Sequence, residues 1–301
     1  MKKRVAIAIP ARNEADRIGA CLARLNSLAT DARHETPIIV VAANNCDDDT
    51  AGVAASRGAE ALSVTLPPDR AHAGWARRVA LEAAAEHLRA PRDVLLCTDA
   101  DTLVDPDWLV RTLDHLDGGW DAVAGVARLD PAELRSLAPR HRARLAMIRR
   151  YHRALDYLLA RRDPSEPWPR HFYEGGASMA LTLAAFRRVG PPPTPRVGED
   201  KALFEAVRRR GGRVRHPLDV KVTTSPRLAG RADGGASDTL AIWGDQDEDE
   251  AIWEVKPLAQ ALGVAAAGGD ILTFATLPAE IAKARRLVAM ARRERDLAWA
   301  S

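Results

Sequence analysis

The stretch Val94-Leu95-Leu96-Cys97-Thr98-Asp99-Ala100-Asp101 decides the fold class, because a short apolar run ends abruptly in two acids. Such a run predicts a buried strand, and an open α/β sheet presents its ligands just beyond the carboxyl ends of its strands. Hard carboxylate oxygens in that place suit Mg²⁺ or Mn²⁺ held against a diphosphate. Asp is also common in turns, so the DxD segment, Asp99–Asp101, gains weight only from the rest of the chain.

Strand and helix patterns alternate on the amino-terminal side of this segment. Apolar runs at residues 5–9 and 37–43 predict two more strands, and helical stripes separate them. Asn13 or Asp16 is expected to cap the first of these helices, and Asp48 the second. Strands spaced by helices predict a parallel sheet with right-handed crossovers.

The pattern changes after the DxD segment. We predict one strand over 122–129, a long Arg-rich helix over 139–162 and another strand over 177–181. Gly198-Glu199-Asp200 opens a further helix, and residues 278–299 form a final amphipathic helix. Acids in the first turn of a helix are favoured by the helix dipole alone, so Glu199 and Asp200 are not diagnostic by themselves.

Composition excludes several classes of protein. A net charge of +3 on 301 residues is too small to indicate a nucleic-acid binder. Three widely spaced cysteines fit neither a zinc site nor a disulfide framework, which favours a reducing cytoplasm. The apolar run at the amino terminus stops at Pro10, so we interpret it as a strand, and no stretch has the apolar length of a membrane span.

Six segments together resemble family-two glycosyltransferases in order and approximate spacing. They are Pro10–Glu14, Val40–Thr50, Gly74–Arg78, Thr98–Asp101, Gly175–Ala180 and Gly198–Asp200. The resemblance implies an α/β, Rossmann-like nucleotide-diphosphosugar transferase fold of the A type. Its mixed, mainly parallel sheet would be flanked by helices, with a helical C-terminal segment. We expect a nucleotide-sugar-binding half (1–125) and an acceptor-binding half carrying the catalytic base (126–235), followed by a helical extension (236–301).

The same resemblance implies roles for residues that bind the donor. Residues bordering or contacting the nucleobase would be Pro10, Ala11, Glu14 and Asn44. Arg77 would lie beside the base or the diphosphate, and Gly175 and Gly176 would let backbone approach the acceptor and the donor sugar. Asp101 would ligate the metal directly, and Asp99 would face the ribose and the metal. Asn44 stands where the family often has Asp, which leaves the base preference open.

Catalysis would fall to the Glu199-Asp200 pair, with Asp200 as the base. Transfer of a sugar requires the acceptor hydroxyl to lose its proton as it attacks, and a carboxylate within hydrogen-bond reach can accept it. If Asp200 acts only as a base, the transfer inverts the anomeric configuration in one displacement. Neutralisation of the leaving diphosphate would fall to Mg²⁺ or Mn²⁺.

Two further segments have competing interpretations. Arg227 and Arg231, four apart in a Gly-rich loop, suit bidentate contacts to a diphosphate, or they form an exposed basic turn. The aromatic residues Trp168, Phe172 and Tyr173, with His171, either line an acceptor pocket or belong to a minor core.

The sequence therefore predicts a bacterial-type, metal-dependent glycosyltransferase that moves a sugar from a nucleotide-diphosphosugar to an acceptor hydroxyl. The alternatives are a sugar nucleotidyltransferase and a catalytically silent nucleotide-binding scaffold. The expected location is the cytoplasm or the inner face of the membrane. The Arg-rich helix touches anionic lipid or an acidic acceptor, or it presents a solvated face. The residues after 235 cap the acceptor side or pair two chains into a homodimer.

Overall fold

The computed structural model describes residues 2–28, 31–230, 234–264 and 271–298. Within these ranges the chain forms ten strands and eleven helices. The strands are β1 (Val5–Ala11), β2 (Ile38–Asn44), β3 (Glu60–Val64), β4 (Val94–Cys97), β5 (Leu103–Val104), β6 (Ala122–Ala124), β7 (Val126–Leu129), β8 (Met179–Thr182), β9 (Val214–Arg215) and β10 (Lys221–Thr224). The helices are α1 (Ile18–Asn26), α2 (Thr50–Ser56), α3 (Ala73–Glu86), α4 (Trp108–Asp117), α5 (Pro131–Ser136), α6 (Pro139–Arg162), α7 (Leu183–Val189), α8 (Glu199–Arg209), α9 (Ala236–Asp245), α10 (Leu258–Ala261) and α11 (Leu277–Ala298).

A seven-stranded sheet with the order β3-β2-β1-β4-β8-β6-β9 forms the centre of the fold. Its first four strands are parallel, β8 runs antiparallel to both neighbours, and β6 pairs with β9 in parallel. The prediction of a mixed, mainly parallel sheet flanked by helices is confirmed. Apolar side chains of β1, β2 and β4 fill two separate cores, which matches strands buried on both faces.

The strand order reverses at β1, because β2 and β3 extend the sheet on one side and β4 on the other. Chains leaving the carboxyl ends of β1 and β4 must therefore part, which opens a crevice for ligands at this point. The turn that starts at Pro10 and the DxD segment both leave the sheet here.

The prediction of one strand over 122–129 is wrong. The segment divides at Gly125 into β6 in the large sheet and β7 in a three-stranded sheet of order β5-β10-β7. A side chain at position 125 would lie 2.2 Å from the Ser178 hydroxyl, so glycine allows the two backbones to approach. The Ser178 hydroxyl in turn accepts a hydrogen bond from the Trp108 indole at 2.9 Å.

By contacts, the chain divides into two compact units. The first contains residues 1–130, 173–225 and 230–235, and therefore both sheets. The second contains residues 131–172, 226–229 and 236–301. The functional division at residues 125 and 235 stays a prediction.

The second unit is helical. Its core joins α6 and α11 through Tyr151, Leu158, Leu277 and Ala284. The final helix was predicted, whereas α9 and α10 were not. The end of α9 depends on a distant residue: the guanidinium of Arg144 in α6 donates to the carbonyls of Trp243, Gly244 and Gln246. A contact between residues about a hundred positions apart leaves no local pattern in the sequence, so it could not be used to predict α9. Over the residues described here, no helix is both long and apolar enough to cross a membrane.

Candidate active site

The two turns that follow β1 and β2 are tied to each other. The Asn13 side chain accepts from the Asp47 amide at 2.7 Å and donates to the Asp47 carboxylate at 3.3 Å. Asp48 accepts from the backbone of Ala15 and of Thr50, both at 3.0 Å. Asp48 therefore fixes its turn, but its predicted role as the cap of the second helix is wrong, because α2 begins at Thr50 after Asp49 with no side-chain cap. The prediction of Asn13 or Asp16 as a helix cap is wrong, because α1 begins at Ile18 after Arg17 with no side-chain cap.

The residues predicted near the nucleobase lie at the carboxyl ends of β1 and β2. Pro10 and Ala11 end β1, Asn44 ends β2, and Glu14 is buried in the turn after β1. Asn44 is only 2% exposed, and its side-chain oxygen has no hydrogen-bond partner in the described part of the chain. An unsatisfied buried acceptor costs free energy, which an N–H group of a ligand can recover.

The DxD segment leaves β4 with both carboxylates partly exposed. The Thr224 hydroxyl of β10 donates to the Asp101 carboxylate at 3.3 Å. The two acids create a negative potential that reaches Cys21, whose thiol donates to the Asp99 carbonyl at 3.6 Å. Burial, reinforced by Asp101 and then Asp99, raises the pKa of Cys21 to about 12. Two hard, partly exposed carboxylates fit Mg²⁺ or Mn²⁺.

Arg77 of α3 connects the DxD segment to α8. Its guanidinium is buried and donates to the Asp99 carboxylate and to the Glu199 carboxylate, each at 3.1 Å. It also contacts the Cys97 sulfur at 3.2 Å and the Gly176 carbonyl at 3.3 Å. One side chain of α3 therefore holds three segments that lie far apart in the sequence, the end of β4 with the DxD segment, the loop before β8 and the start of α8.

The charge of Arg77 persists despite burial. Burial by itself lowers the pKa of a guanidinium, but the carboxylates of Asp99, Glu199 and Asp200 raise the pKa of Arg77 well above its usual value. Burial raises the pKa of the Cys97 thiol to about 11, so this sulfur stays neutral. We predicted Arg77 beside the nucleotide; its donor contact stays a prediction, while its observed contacts are to the protein.

The Arg77 guanidinium fills the space that a side chain at Gly176 would occupy. A Cβ at this position would lie 2.0 Å from Nη2 of Arg77 and 2.5 Å from its Cζ. The predicted role of Gly176, close approach of backbone to the donor, stays a prediction. In the structure, the approach that glycine permits is that of Arg77.

Glu199 and Asp200 occupy the first turn of α8, which follows Gly198 in the left-handed conformation (φ 74°). Glu199 is buried against Arg77, and Asp200 is partly exposed and accepts from the Lys201 amide at 2.7 Å. Burial raises the pKa of the Asp200 carboxyl; Arg77 opposes this shift and Glu199 reinforces it. A carboxylate with a raised pKa is a stronger base than an ordinary aspartate.

A second charged group fixes the loop before β8. Glu174 is bonded to the buried His216 at 3.0 Å and to Arg208 of α8. Burial opposes ionisation of Glu174, but the hydrogen bonds from His216 and Arg208 lower its pKa. Neither this group nor the contact of Cys97 with Arg77 could be predicted from the sequence, because residues 20 to 42 positions apart show no periodic pattern that would link them.

The predicted arginine clamp falls on two different parts of the chain. Arg227 lies in the short segment 226–229, which belongs to the second unit. Arg231 lies outside the described residues. The clamp therefore stays a prediction.

The sequence of the chain matches the family model of glycosyl transferase family 2 over residues 6–182, more than half its length. The chain belongs to glycosyl transferase family 2. It is thus a glycosyltransferase, and family membership decides against the nucleotidyltransferase and scaffold alternatives. The matched range includes Arg77 and the DxD segment and ends at the last residue of β8. No curated protein sequence matches this glycosyltransferase.

Two solved structures are similar to this chain. A mannosyltransferase from Pyrobaculum calidifontis, determined with GDP-Man and Mn²⁺, is 20% identical, with a TM-score of 0.52 over 97% of this chain and 80% of that one. Glucosyl-3-phosphoglycerate synthase from Mycobacterium tuberculosis, determined with Mn²⁺, UDP and phosphoglyceric acid, is 17% identical, with a TM-score of 0.48 over 88% of this chain and 81% of that one. The first likeness shows the A-type fold of this glycosyltransferase.

Proposed function

We propose that this glycosyltransferase moves a sugar from a nucleotide-diphosphosugar to an acceptor hydroxyl, with inversion, and that Asp200 is the base. The observation that carries the proposal is the Arg77 guanidinium, which bonds both Asp99 and Glu199. It brings the candidate metal-binding segment and the candidate base, a hundred residues apart in the chain, to one place.

Two bonds form and two break in the proposed step. The acceptor oxygen forms a bond to the anomeric carbon while its proton moves to the Asp200 carboxylate, and the bond from the anomeric carbon to the diphosphate breaks. Glu199 holds Arg77 rather than the proton, because its carboxylate is already bonded to the guanidinium. The nucleoside diphosphate leaves with the electron pair.

We propose that Asp101, with Asp99, holds Mg²⁺ or Mn²⁺. No cluster of three or more His, Cys, Asp or Glu side chains suited to a metal occurs among the residues that the structure describes. A site with so few protein ligands suits an ion that keeps waters and substrate phosphates in its shell. When bound, the ion supplies charge for the leaving diphosphate.

The base-binding role of Pro10, Ala11, Glu14 and Asn44 is supported by the buried Asn44 oxygen that lacks a partner within the described residues. A side-chain amide both accepts and donates, so it can pair with more than one base edge. The nucleobase therefore has to be determined by a panel of nucleoside diphosphates.

Asp101→Ala is expected to remove the metal-dependent part of nucleoside diphosphate binding. Since the metal contributes several kcal/mol, the affinity should fall at least about a hundredfold. Thermal shift with UDP, GDP, ADP and CDP, each with Mn²⁺, Mg²⁺ or a chelator, measures this. Asp107→Ala, a surface change at the start of α4, is the matched control. Equal shifts for Asp101→Ala and the wild type would reduce the DxD segment to a turn.

We also propose that α6 rests on an anionic membrane surface. This helix carries eight arginines and one acidic residue, although the whole chain has a net charge of only +3. Arg142, Arg149 and Arg153 are exposed at spacings that align them on one helix face. Three exposed arginines on one face of a helix with a single acid concentrate positive charge on that face.

Reversing the charge of Arg142, Arg149 and Arg153 together to Glu is expected to weaken vesicle binding at least about a hundredfold, at about 1 kcal/mol per basic residue. Co-sedimentation with phosphatidylcholine vesicles, with and without phosphatidylglycerol, measures it. Reversal of Arg57, Arg92 and Arg209, three exposed arginines outside α6, changes the net charge equally and should have little effect. Equal loss in both triple variants would leave only a general charge effect.

A further inference from the structure

Tyr173 has no role in the reaction proposed above. It directly precedes Glu174-Gly175-Gly176, and half of its surface (50%) is exposed. Its ring folds back over the glycine two residues further on: a Cβ on Gly175 would lie 2.4 Å from the phenol oxygen and 2.5 Å from Cε1. Glycine at 175 is therefore what allows the phenol end of the ring to lie against the backbone.

The polar end of Tyr173 faces the charged groups of the site. Burial of the phenol hydroxyl raises the pKa of Tyr173, and the carboxylates of Asp200 and Asp99 raise it further. The contacts of the loop agree with this position: the phenol oxygen lies against Gly175, and the next residue, Gly176, accepts from Arg77, whose guanidinium bonds Asp99 and Glu199. The phenol stays protonated, and it can donate a hydrogen bond to a carboxylate or to a substrate oxygen.

The adjacent chain holds the ring in this orientation. Glu174 is anchored by the buried His216 and by Arg208, and Gly176 accepts from Arg77. The residues on the carboxyl side of Tyr173 are thus bonded to α3, to α8 and to the residue that follows β9. A half-exposed aromatic ring on an anchored loop loses little conformational freedom when a ligand packs on it.

We propose that Tyr173 lines the acceptor subsite, with its exposed ring face as a packing surface for a cyclic acceptor, a sugar or a cyclic polyol, and its hydroxyl as a hydrogen-bond partner of the acceptor oxygen. The inference rests on the proposed function, because it takes Asp200 as the base. The C–H face of a sugar ring packs well on an aromatic ring, and the phenol hydroxyl supplies the polar contact at its edge. Tyr173 keeps its proton throughout, and the proton of the acceptor hydroxyl goes to Asp200.

The test compares cyclic and acyclic acceptors. Release of nucleoside diphosphate is measured for nucleotide sugars that carry the base found in the panel, each alone and with methyl α-glucoside, methyl α-mannoside, myo-inositol or glycerol. The wild type is expected to turn over faster with at least one cyclic acceptor than with glycerol. Tyr173→Phe should lower kcat about tenfold with the KM for the donor unchanged, since one hydrogen bond to the reacting group is lost. Tyr173→Leu should raise the KM for the cyclic acceptor by a further tenfold or so, since the flat ring is lost.

Tyr157→Phe is the matched control, because it removes a phenol hydroxyl in the second unit and should leave every constant unchanged. Wild-type kinetics in both Tyr173 variants, or donor turnover that no cyclic acceptor accelerates, would overturn the inference and leave the proposed function standing. Absence of turnover with any nucleotide sugar would overturn the proposed function and this inference with it. Nucleoside diphosphate binding equal to wild type in Tyr173→Leu shows that the variant has folded.

Discussion

Arg77→Met is expected to lower the free energy of unfolding by about 3–5 kcal/mol and to abolish sugar transfer. Removal of the guanidinium leaves the Asp99 and Glu199 carboxylates without their shared cation, and an uncompensated buried charge is strongly destabilising. Asp99 would also lose the contact that orients it at the end of β4. Urea unfolding followed by circular dichroism gives the stability, and release of nucleoside diphosphate gives the activity.

Arg78→Met is the matched control for this variant. Arg78 is the next residue of α3, but it forms a surface pair with Glu82, and such pairs contribute about 1 kcal/mol or less. Gly176→Ala tests the same group from the other side, because its methyl would displace the guanidinium at a cost of about 1–3 kcal/mol. An active Arg77→Met enzyme as stable as Arg78→Met would contradict the central role of Arg77.

Asp200→Asn is expected to lower kcat about 10²- to 10⁴-fold and to leave stability at neutral pH unchanged or slightly higher. The amide has the shape of the carboxylate and cannot accept the acceptor proton. Because folding raises the pKa of Asp200, the ionised carboxylate costs stability above that pKa, and the neutral amide removes this cost. Assays of sugar transfer and thermal unfolding of the same preparation separate the effect on kcat from the effect on stability. A fully active Asp200→Asn enzyme would exclude Asp200 as the base.

The same carboxyl sets the acid limb of the pH profile. Asp200 is active when ionised, so its raised pKa moves the loss of kcat/KM to a higher pH than an ordinary aspartate would give. Glu199→Gln removes a negative neighbour that raises this pKa, and the limb should then move to lower pH. A shift to higher pH, or none, would show that another group sets the limb.

Much of the fold could be predicted from the sequence because its strands are continuous apolar runs. The runs at 5–9, 37–43 and 94–98 became β1, β2 and β4, and the Arg-rich and final helices lie where their stripes place them. The break at Gly125 could not be predicted, since it depends on how closely Ser178 approaches from elsewhere in the chain. Residue spacing contains no such information.

The sequence predicted which residues belong to the candidate site, but not which residues contact one another there. Arg77 was selected for its place in a motif, yet two of its partners stand 22 and 122 residues away. Asn13 looked like a helix cap because its type and position fit one, but a partner in the neighbouring turn competed for its side chain. Both results come from tertiary contacts that replace the local ones.

The shared guanidinium of Arg77 also constrains how this protein can change over generations. Exchanging the charged trio of Arg77, Asp99 and Glu199 for well-packed apolar residues is expected to cost little stability, whereas exchange of Arg77 alone strands the buried Glu199 carboxylate, and exchange of either acid leaves the buried guanidinium with one partner fewer. Every mutational path away from the trio therefore begins with an unstable intermediate. Substitutions at the three positions should therefore occur together and should show strong epistasis, with a coupling free energy that double-mutant cycles can measure.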